Sequence, residues 1–399
     1  MREVGHASLG WRVAFAVTLT VSMGIGPFVI GAMGALSPLI VPDLGLSRTE
    51  LGSLATVAFG MAAATSVLGG RQADVLGGRT VLFGVFAAGG TAAIVMASAP
   101  ALPWLWVGAL IAGISMGVAN PVTNALVAEH IPAGRQGLQI GMKQSGPPMA
   151  HAFIGFTLPP LAVAVGWRGS VLVGVVLAAA GMVLLATIVP RSHGGSGHAK
   201  TGTASKVLPM VWWLAALTFL VGIASQAVLV YVPLYAFERV GLAAANAGMT
   251  AGATGTAGML ARIIWGRLSE RWGSPILALA SIVSLAFVAL VLILASEYVG
   301  AVTLWPGLVL FGSSALATNA VVMLVIVREV GRGALGRSSG VIGIGFFLGY
   351  MTGPVAFGAL VDLTDSYTIG WAVVALMCAL SLVLLLAWKR SAGGSSDEE

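Results

Sequence analysis

Apolar residues in this chain do not alternate with polar ones; they run on in long blocks. The blocks fall at residues 12–41, 51–69, 80–100, 103–127, 137–163 and 170–190, then at 208–237, 247–265, 276–297, 304–327, 338–361 and 370–388, twelve in all. Crossing ~30 Å of hydrocarbon as a helix takes about 20 such residues. Between the sixth and seventh blocks, Arg191 to Lys206 is Gly, Ser and charge without periodicity, which reads as a linker. The pattern predicts an all-α integral membrane fold. Residues 1–190 form an N-terminal six-helix bundle, 191–207 a cytoplasmic linker, 208–390 a C-terminal six-helix bundle and 391–399 a disordered cytoplasmic tail.

Composition strengthens this reading. Only 9% of residues are Asp, Glu, Lys or Arg, against roughly 25% in a soluble domain, and mean hydropathy is +0.97. The 55 glycines fit closely packed membrane helices. No short apolar core with a small-residue cleavage site follows Met1, so the first block is expected to be a retained helix. The net charge of +6 comes from single positives at helix ends, with no basic run for nucleic acid. With the N-terminus inside, fifteen Lys and Arg fall on the cytoplasmic side, three (Arg48, Arg168, Arg239) outside and two (Lys143, Arg262) within spans. That bias predicts cytoplasmic termini in a cell inner membrane.

The halves repeat. At an offset of 196, Gly45, Gly52, Gly70, Arg71 and Gly77 fall on Gly241, Gly248, Gly266, Arg267 and Gly273; at 199, Asn120, Gly141 and Gly146 fall on Asn319, Gly340 and Gly345. Six spans per half give a parallel repeat, a plan suited to rocking about a central site.

The turns after spans two and eight read GRQADVLGGR (70–79) and GRLSERWGSP (266–275). With twelve spans and a central linker, they resemble the loop signature of the major facilitator superfamily over the whole chain. The resemblance implies a secondary carrier, with Gly70, Asp74, Arg79, Gly266, Glu270 and Arg271 forming a cytoplasmic gate. Gly70 and Gly266 would admit a neighbouring helix, and Gly77 and Gly273 a tight turn. Val75, and Ser274-Pro275 in the second copy, depart from the family's basic residues.

Charges inside a span cost ~2.5–3.5 kcal/mol on insertion scales, and the two here are both positive. Lys143 lies about 10 Å into span five, beside Gln144, Pro147 and Pro148. Two placements are open: an ammonium facing a cavity, or a stem snorkelling to the surface. Arg262, one turn before Gly266, resembles the Arg that monocarboxylate and oxalate–formate carriers associate with the substrate carboxylate. Those carriers add an acid before it or a Lys in span eleven, and this chain has neither. The alternative is an Arg tied to Glu270 or the gate.

Asn120, Asn124, Tyr231, Gln226 and Asn319 complete the candidate substrate site, with interhelical glue as the bland reading of the Asn residues. No acid sits mid-span, and His151 is the candidate proton carrier. No nucleotide-binding, metal-ligand or catalytic signature occurs, so neither cofactor, metal nor enzyme activity is expected. Two cations without an anion favour an anionic solute. The expectation is a monomeric secondary carrier of a small organic anion, a monocarboxylate, by proton symport or anion exchange. The alternatives are an exporter of neutral or cationic drugs and a membrane sensor, which would need a signalling domain.

Overall fold

The computed structural model describes residues 9–132, 136–190, 208–330 and 335–393. The first half contains α1 (Leu9–Ala35), α2 (Ser37–Leu44), α3 (Arg48–Leu76), α4 (Gly78–Ala97), α5 (Leu102–His130), α6 (Gln136–Gln144), α7 (Gly146–Val171) and α8 (Val173–Ile188). The second contains α9 (Pro209–Glu238), α10 (Ala244–Trp272), α11 (Pro275–Val299), α12 (Ala301–Ser314), α13 (Thr318–Glu329), α14 (Leu335–Thr364) and α15 (Tyr367–Gly393). The expected linker, 191–207, and residues 394–399 of the expected tail lie outside the described residues.

Nine helical stretches among the described residues are long and apolar enough to cross a membrane, counting α6–α7 and α12–α13 as one each, and α8 is a shorter apolar helix. The remaining two membrane helices, α3 and α10, are rich in Gly, Ala, Ser and Thr. Their contacts explain it: α3 packs on α14 and α10 on α7, so each faces a protein surface where small residues allow close approach.

Among the described residues several apolar blocks are interrupted, the first at Leu36 between α1 and α2, and two of the interruptions bear on the site. Between α6 and α7, Pro147 and Pro148 have no N–H to give, which leaves the carbonyls of Lys143 and Gln144 without their helical donors. In span ten a 3-10 turn, Ala315–Ala317, separates α12 from α13. Broken helices expose backbone carbonyls, which are tolerated at membrane depth only inside protein or beside water.

The halves meet at one end and part at the other. At the end formed by the α2–α3 and α9–α10 turns, a Cβ on Gly155 would overlap the backbone of Gly252, one on Gly52 the carbonyl of Pro354, and one on Gly358 the carbonyl of Arg48. Each of these contacts joins the first half to the second. At the linker end a Cβ on Gly137, Gly141, Gly266, Gly340 or Gly343 would meet nothing within 4 Å. One core cluster accordingly runs through both halves, while a second, built on Phe15, Leu82, Phe86 and Leu126, belongs to the first half alone. The molecule is sealed at the turn end and splayed at the linker end.

That splay corrects one expectation. No helix among the described residues approaches a Cβ built on Gly266, because the linker ends of the bundles stand apart. The turn glycines behave as expected: Gly77 and Gly273 have φ of 82° and 64°, where a side chain would be strained. The burial of Gly70 and the side chains of Asp74 and Glu270 lie outside the described residues.

Candidate functional site

The site grows out of the two helix breaks. Arg262, half-buried on α10, donates from Nη1 to the Gln144 carbonyl at 2.8 Å and from Nε to the Leu316 carbonyl at 3.3 Å. The first acceptor is a carbonyl that Pro148 deprives of its helical donor; the second lies in the 3-10 turn. One guanidinium thus satisfies a discontinuity in each half and ties the halves together. Its Nη2 finds no acceptor among the described residues. A guanidinium carries five N–H donors in a planar fork, so donor capacity remains for a further oxygen ligand.

Lys143 stands on the last turn of α6 and is fully enclosed, at 0% exposure. Its Nζ donates to Asn120 Oδ1 at 2.9 Å and Thr123 Oγ1 at 2.8 Å, with the Asn120 carbonyl at 3.4 Å. Neither open placement from the sequence describes this. The amine does not snorkel, and it does not open on the space between the halves. Asn120 and Thr123, on the facing turn of α5, supply enough oxygen to hold an ammonium without an acid. Gln144 Nε2 reaches the same Asn120 Oδ1 at 3.3 Å. Arg262, Gln144, Asn120 and Lys143 therefore form one polar chain from the second half into the first.

Of the neutral candidates, Asn120 and Asn124 are exposed, while Gln144 and Asn319 are half-exposed. Gln226 is buried at 4% and Tyr231 at 0%. Tyr231 belongs to the sealed end: its hydroxyl lies 2.6 Å from the Arg48 carbonyl and 2.9 Å from that of Pro354, with one hydrogen to share. His151 is half-buried, its Nδ1 2.9 Å from the Pro147 carbonyl. Its ring lies against Gly31 of α1 and its backbone against Gly255 of α10, so it occupies the crossing of three helices. Reading the sequence missed Tyr350, which stacks edge-on against Phe59 of the other half at 5.0 Å.

The sealed end is a latch that sequence reading also missed. Asp362, at the end of α14, accepts from the backbone N–H groups of Arg48 (3.0 Å) and Thr49 (2.8 Å) and from the Thr49 hydroxyl. These are orphan donors at the start of α3, where Ser47 and Glu50 already form a capping box. An acid of one half thus caps a helix of the other, with favourable helix-dipole charge. Arg48 Nη2 also bridges Glu238 at 3.0 and 3.1 Å, and Tyr367 donates to Glu238 at 2.8 Å. The ion pair is one-third and one-fifth exposed and so contributes little; the Asp362 bonds to backbone carry the latch.

Asp362→Asn keeps the shape and removes the charge, and should shift the molecule about tenfold towards opening at this end, roughly 1–2 kcal/mol. A cysteine at Ala55, buried on the α3 face shared by Gly52 and Phe59, reports opening through an impermeant thiol reagent. The native Cys378 is buried and stays silent. Unchanged labelling of Ala55→Cys on adding Asp362→Asn would count against the latch.

Outside the membrane, the first half is tied by Arg168, which bonds Asp43 at 2.7 Å and stacks over Trp167 at 4.2 Å. The Arg168 hydrogen bond, followed by that of Trp167, holds the Asp43 carboxyl below its usual range. At the linker end, Arg79 donates to the Ala186 carbonyl at 2.8 Å and so caps the end of α8 within its own half. Arg271 is exposed.

The family model described as Major Facilitator Superfamily matches residues 11–349. An uncharacterized MFS-type transporter of Mycobacterium tuberculosis is 25% identical over 89% of this chain and 81% of its own. A probable sulfoacetate transporter of Cupriavidus necator is 25% identical over 83% of each. A gallate transporter of Pseudomonas putida is 32% identical over 41% of this chain and 37% of its own. Among solved structures, a bacterial homolog of the human lysosomal transporter Spinster, inward-facing and occupied, matches with a TM-score of 0.76 at 13% identity, covering 96% of this chain and 98% of that one.

Proposed function

Because the chain belongs to the Major Facilitator Superfamily, we propose that it is a secondary carrier of a small organic anion, a monocarboxylate, working by alternating access. The observation that carries this reading is Arg262: a guanidinium held at two helix breaks, one in each half, with Nη2 still without an acceptor among the described residues. A carboxylate bound there would add charge-assisted bonds to a cation that already joins the halves. Its arrival would thereby be felt by both bundles, which rocking transport needs. Gln144 and Asn120 continue from Arg262 in one polar chain, Asn319 lines a pocket beside Leu316, Asn124 follows one turn after Asn120 on α5, and Lys143 adds positive potential from behind Asn120.

The names of two relatives point the same way, since gallate and sulfoacetate are both organic anions. The excess of Lys and Arg at the linker end favours a cytoplasmic linker and termini in a cell inner membrane. On that orientation the state described is inward-facing, and Asp362 latches the outer gate. The loop residues Gly70, Asp74, Gly266, Glu270 and Arg271 then belong to the inner gate, which must close in the opposite state. His151, at the crossing of α1, α7 and α10, is the candidate for carrying a coupling proton; exchange of one anion for another is the other mode. The carrier functions as a monomer in this reading.

The test is a thermal-shift screen of the purified protein with carboxylates, inorganic anions, sugars and cationic dyes. Millimolar carboxylates should raise the melting temperature through selective binding to the folded state, and the other classes should not. Lys143→Gln should weaken the carboxylate response about fivefold, roughly 1 kcal/mol of lost field at an enclosed charge. A response to cationic dyes with none to carboxylates would instead support a drug exporter.

A further inference from the structure

A small pocket of about 10 Å³, room for one water-sized group, opens within the second half, lined by Thr218 and Ser225 of α9, Leu316 of the 3-10 turn, Thr318 and Asn319 of α13, and Tyr350 of α14. The hydroxyl of Thr318 is its anomaly. Thr318 is 3% exposed, and its Oγ1 is buried with no hydrogen-bond partner among the described residues.

A buried helical hydroxyl ordinarily bonds back to a carbonyl three or four residues earlier. Thr218 does so to Ala215 at 2.9 Å, Thr254 to Thr250 at 2.9 Å and Ser314 to Leu310 at 2.7 Å. Thr318 follows directly on the 3-10 turn, which interrupts the α-helical path that would bring such a carbonyl into reach. Buried polar atoms without a partner are rare and ask for an explanation. Tyr350 and Ser225 line the same pocket, and its wall residue Leu316 gives its carbonyl to Arg262.

We propose that Thr318 and the pocket around it form a subsite for a hydroxyl group on the solute held by Arg262, so that the carrier selects hydroxylated carboxylates over their unhydroxylated counterparts. This rests on the anion reading of Arg262 and adds to it. The cation takes the carboxylate, and the subsite takes a hydrogen-bonding substituent that can satisfy the orphaned oxygen. The pocket is too small for a whole solute and suits one polar group beside the Phe346 and Tyr350 rings, whose centroids are 4.1 Å apart. A site built to bond a hydroxyl rejects the analogue lacking it, because its own polar groups are then left unpaired.

The experiment measures binding to the purified full chain with two matched pairs: 4-hydroxybenzoate against benzoate, and lactate against propionate. The wild-type protein should prefer the hydroxylated member of at least one pair by tenfold or more. Thr318→Val, which keeps the shape without the oxygen, should abolish that preference while leaving the unhydroxylated acid within about twofold. Thr318→Ser should retain it. Without solute, Thr318→Val should melt no lower than wild type, whereas a purely structural hydroxyl would cost stability when removed. Equal binding of both members of each pair, or a preference that survives Thr318→Val, overturns the subsite while the anion site stands. If no carboxylate binds the wild-type protein, the anion reading fails and the subsite with it.

Discussion

Arg262→Ala should abolish the carboxylate-dependent rise in melting temperature and reduce uptake by 30- to 1,000-fold. The magnitude follows from removing one partner of a desolvated, hydrogen-bonded charge pair, about 2–4 kcal/mol. Arg262→Lys should rescue little, although it keeps the charge. The guanidinium reaches the Gln144 and Leu316 carbonyls with Nη1 and Nε and keeps Nη2 for a third oxygen. An ammonium presents its three donors from a single atom and cannot span those acceptors while also forking to a carboxylate. Arg262→Gln, which retains a neutral donor for one carbonyl, should fold well and still fail to respond. Carboxylate shifts of wild-type size in Arg262→Ala would mean that the anion binds elsewhere. A lower melting temperature in the absence of solute would report only the structural bridge, and the two effects are read separately in the same scan.

The second large effect is steric. Gly155→Val should prevent the turn end from sealing, leave the protein open there and reduce transport to background. At the α7–α10 crossing, a Cβ on Gly155 would overlap the Gly252 backbone, and one on Gly248 would overlap Pro159 and the Ala35 carbonyl. These neighbours are backbone or ring and cannot swing aside as a flexible side chain can. Overpacking of this kind costs about 1–3 kcal/mol where the structure can relax, and more where it cannot. The protein has an escape that a soluble core lacks: parting the bundles at that end relieves the overlap without unfolding either. Labelling of Ala55→Cys should therefore rise at least tenfold in Gly155→Val while the melting transition persists. Transport near the wild-type rate would show that α7 and α10 do not need this contact to complete the cycle.

The Asp362 latch and the glycine crossing act on the same equilibrium by different means. One adds attraction in the sealed state, and the other removes a barrier to reaching it. Asp362→Asn should be tolerated with altered kinetics, whereas Gly155→Val should not. In the sequence Asp362 is visible only as an acid directly after a span. Its partner could not be identified that way, because 313 residues separate it from Thr49. Thr318 was still less visible, since an orphaned hydroxyl is recognised only when every neighbouring acceptor has been located.

The sequence by itself determined the twelve membrane helices, the internal repeat, the family and the position of two cations within apolar blocks. Each depends on length, composition or local spacing, which survive projection onto a line: the block at 137–163 is apolar whatever it touches. Spacing alone also placed Gly77 and Gly273 in turns, because a positive φ is a local requirement. Only the tertiary structure decided what those helices present to one another. Lys143 and Arg262 look equivalent as lone charges in apolar blocks. One is closed in by Asn120 and Thr123, while the other bridges Gln144 and Leu316 with donor capacity to spare. Tyr231, a candidate for the solute, seals the turn end instead. The physical reason is that a helix fixes which residues share a face but not which face meets a partner. That is settled by packing between segments far apart in the chain, and the broken helices that create the site acquire their meaning only when an Arg from the other half arrives to complete them.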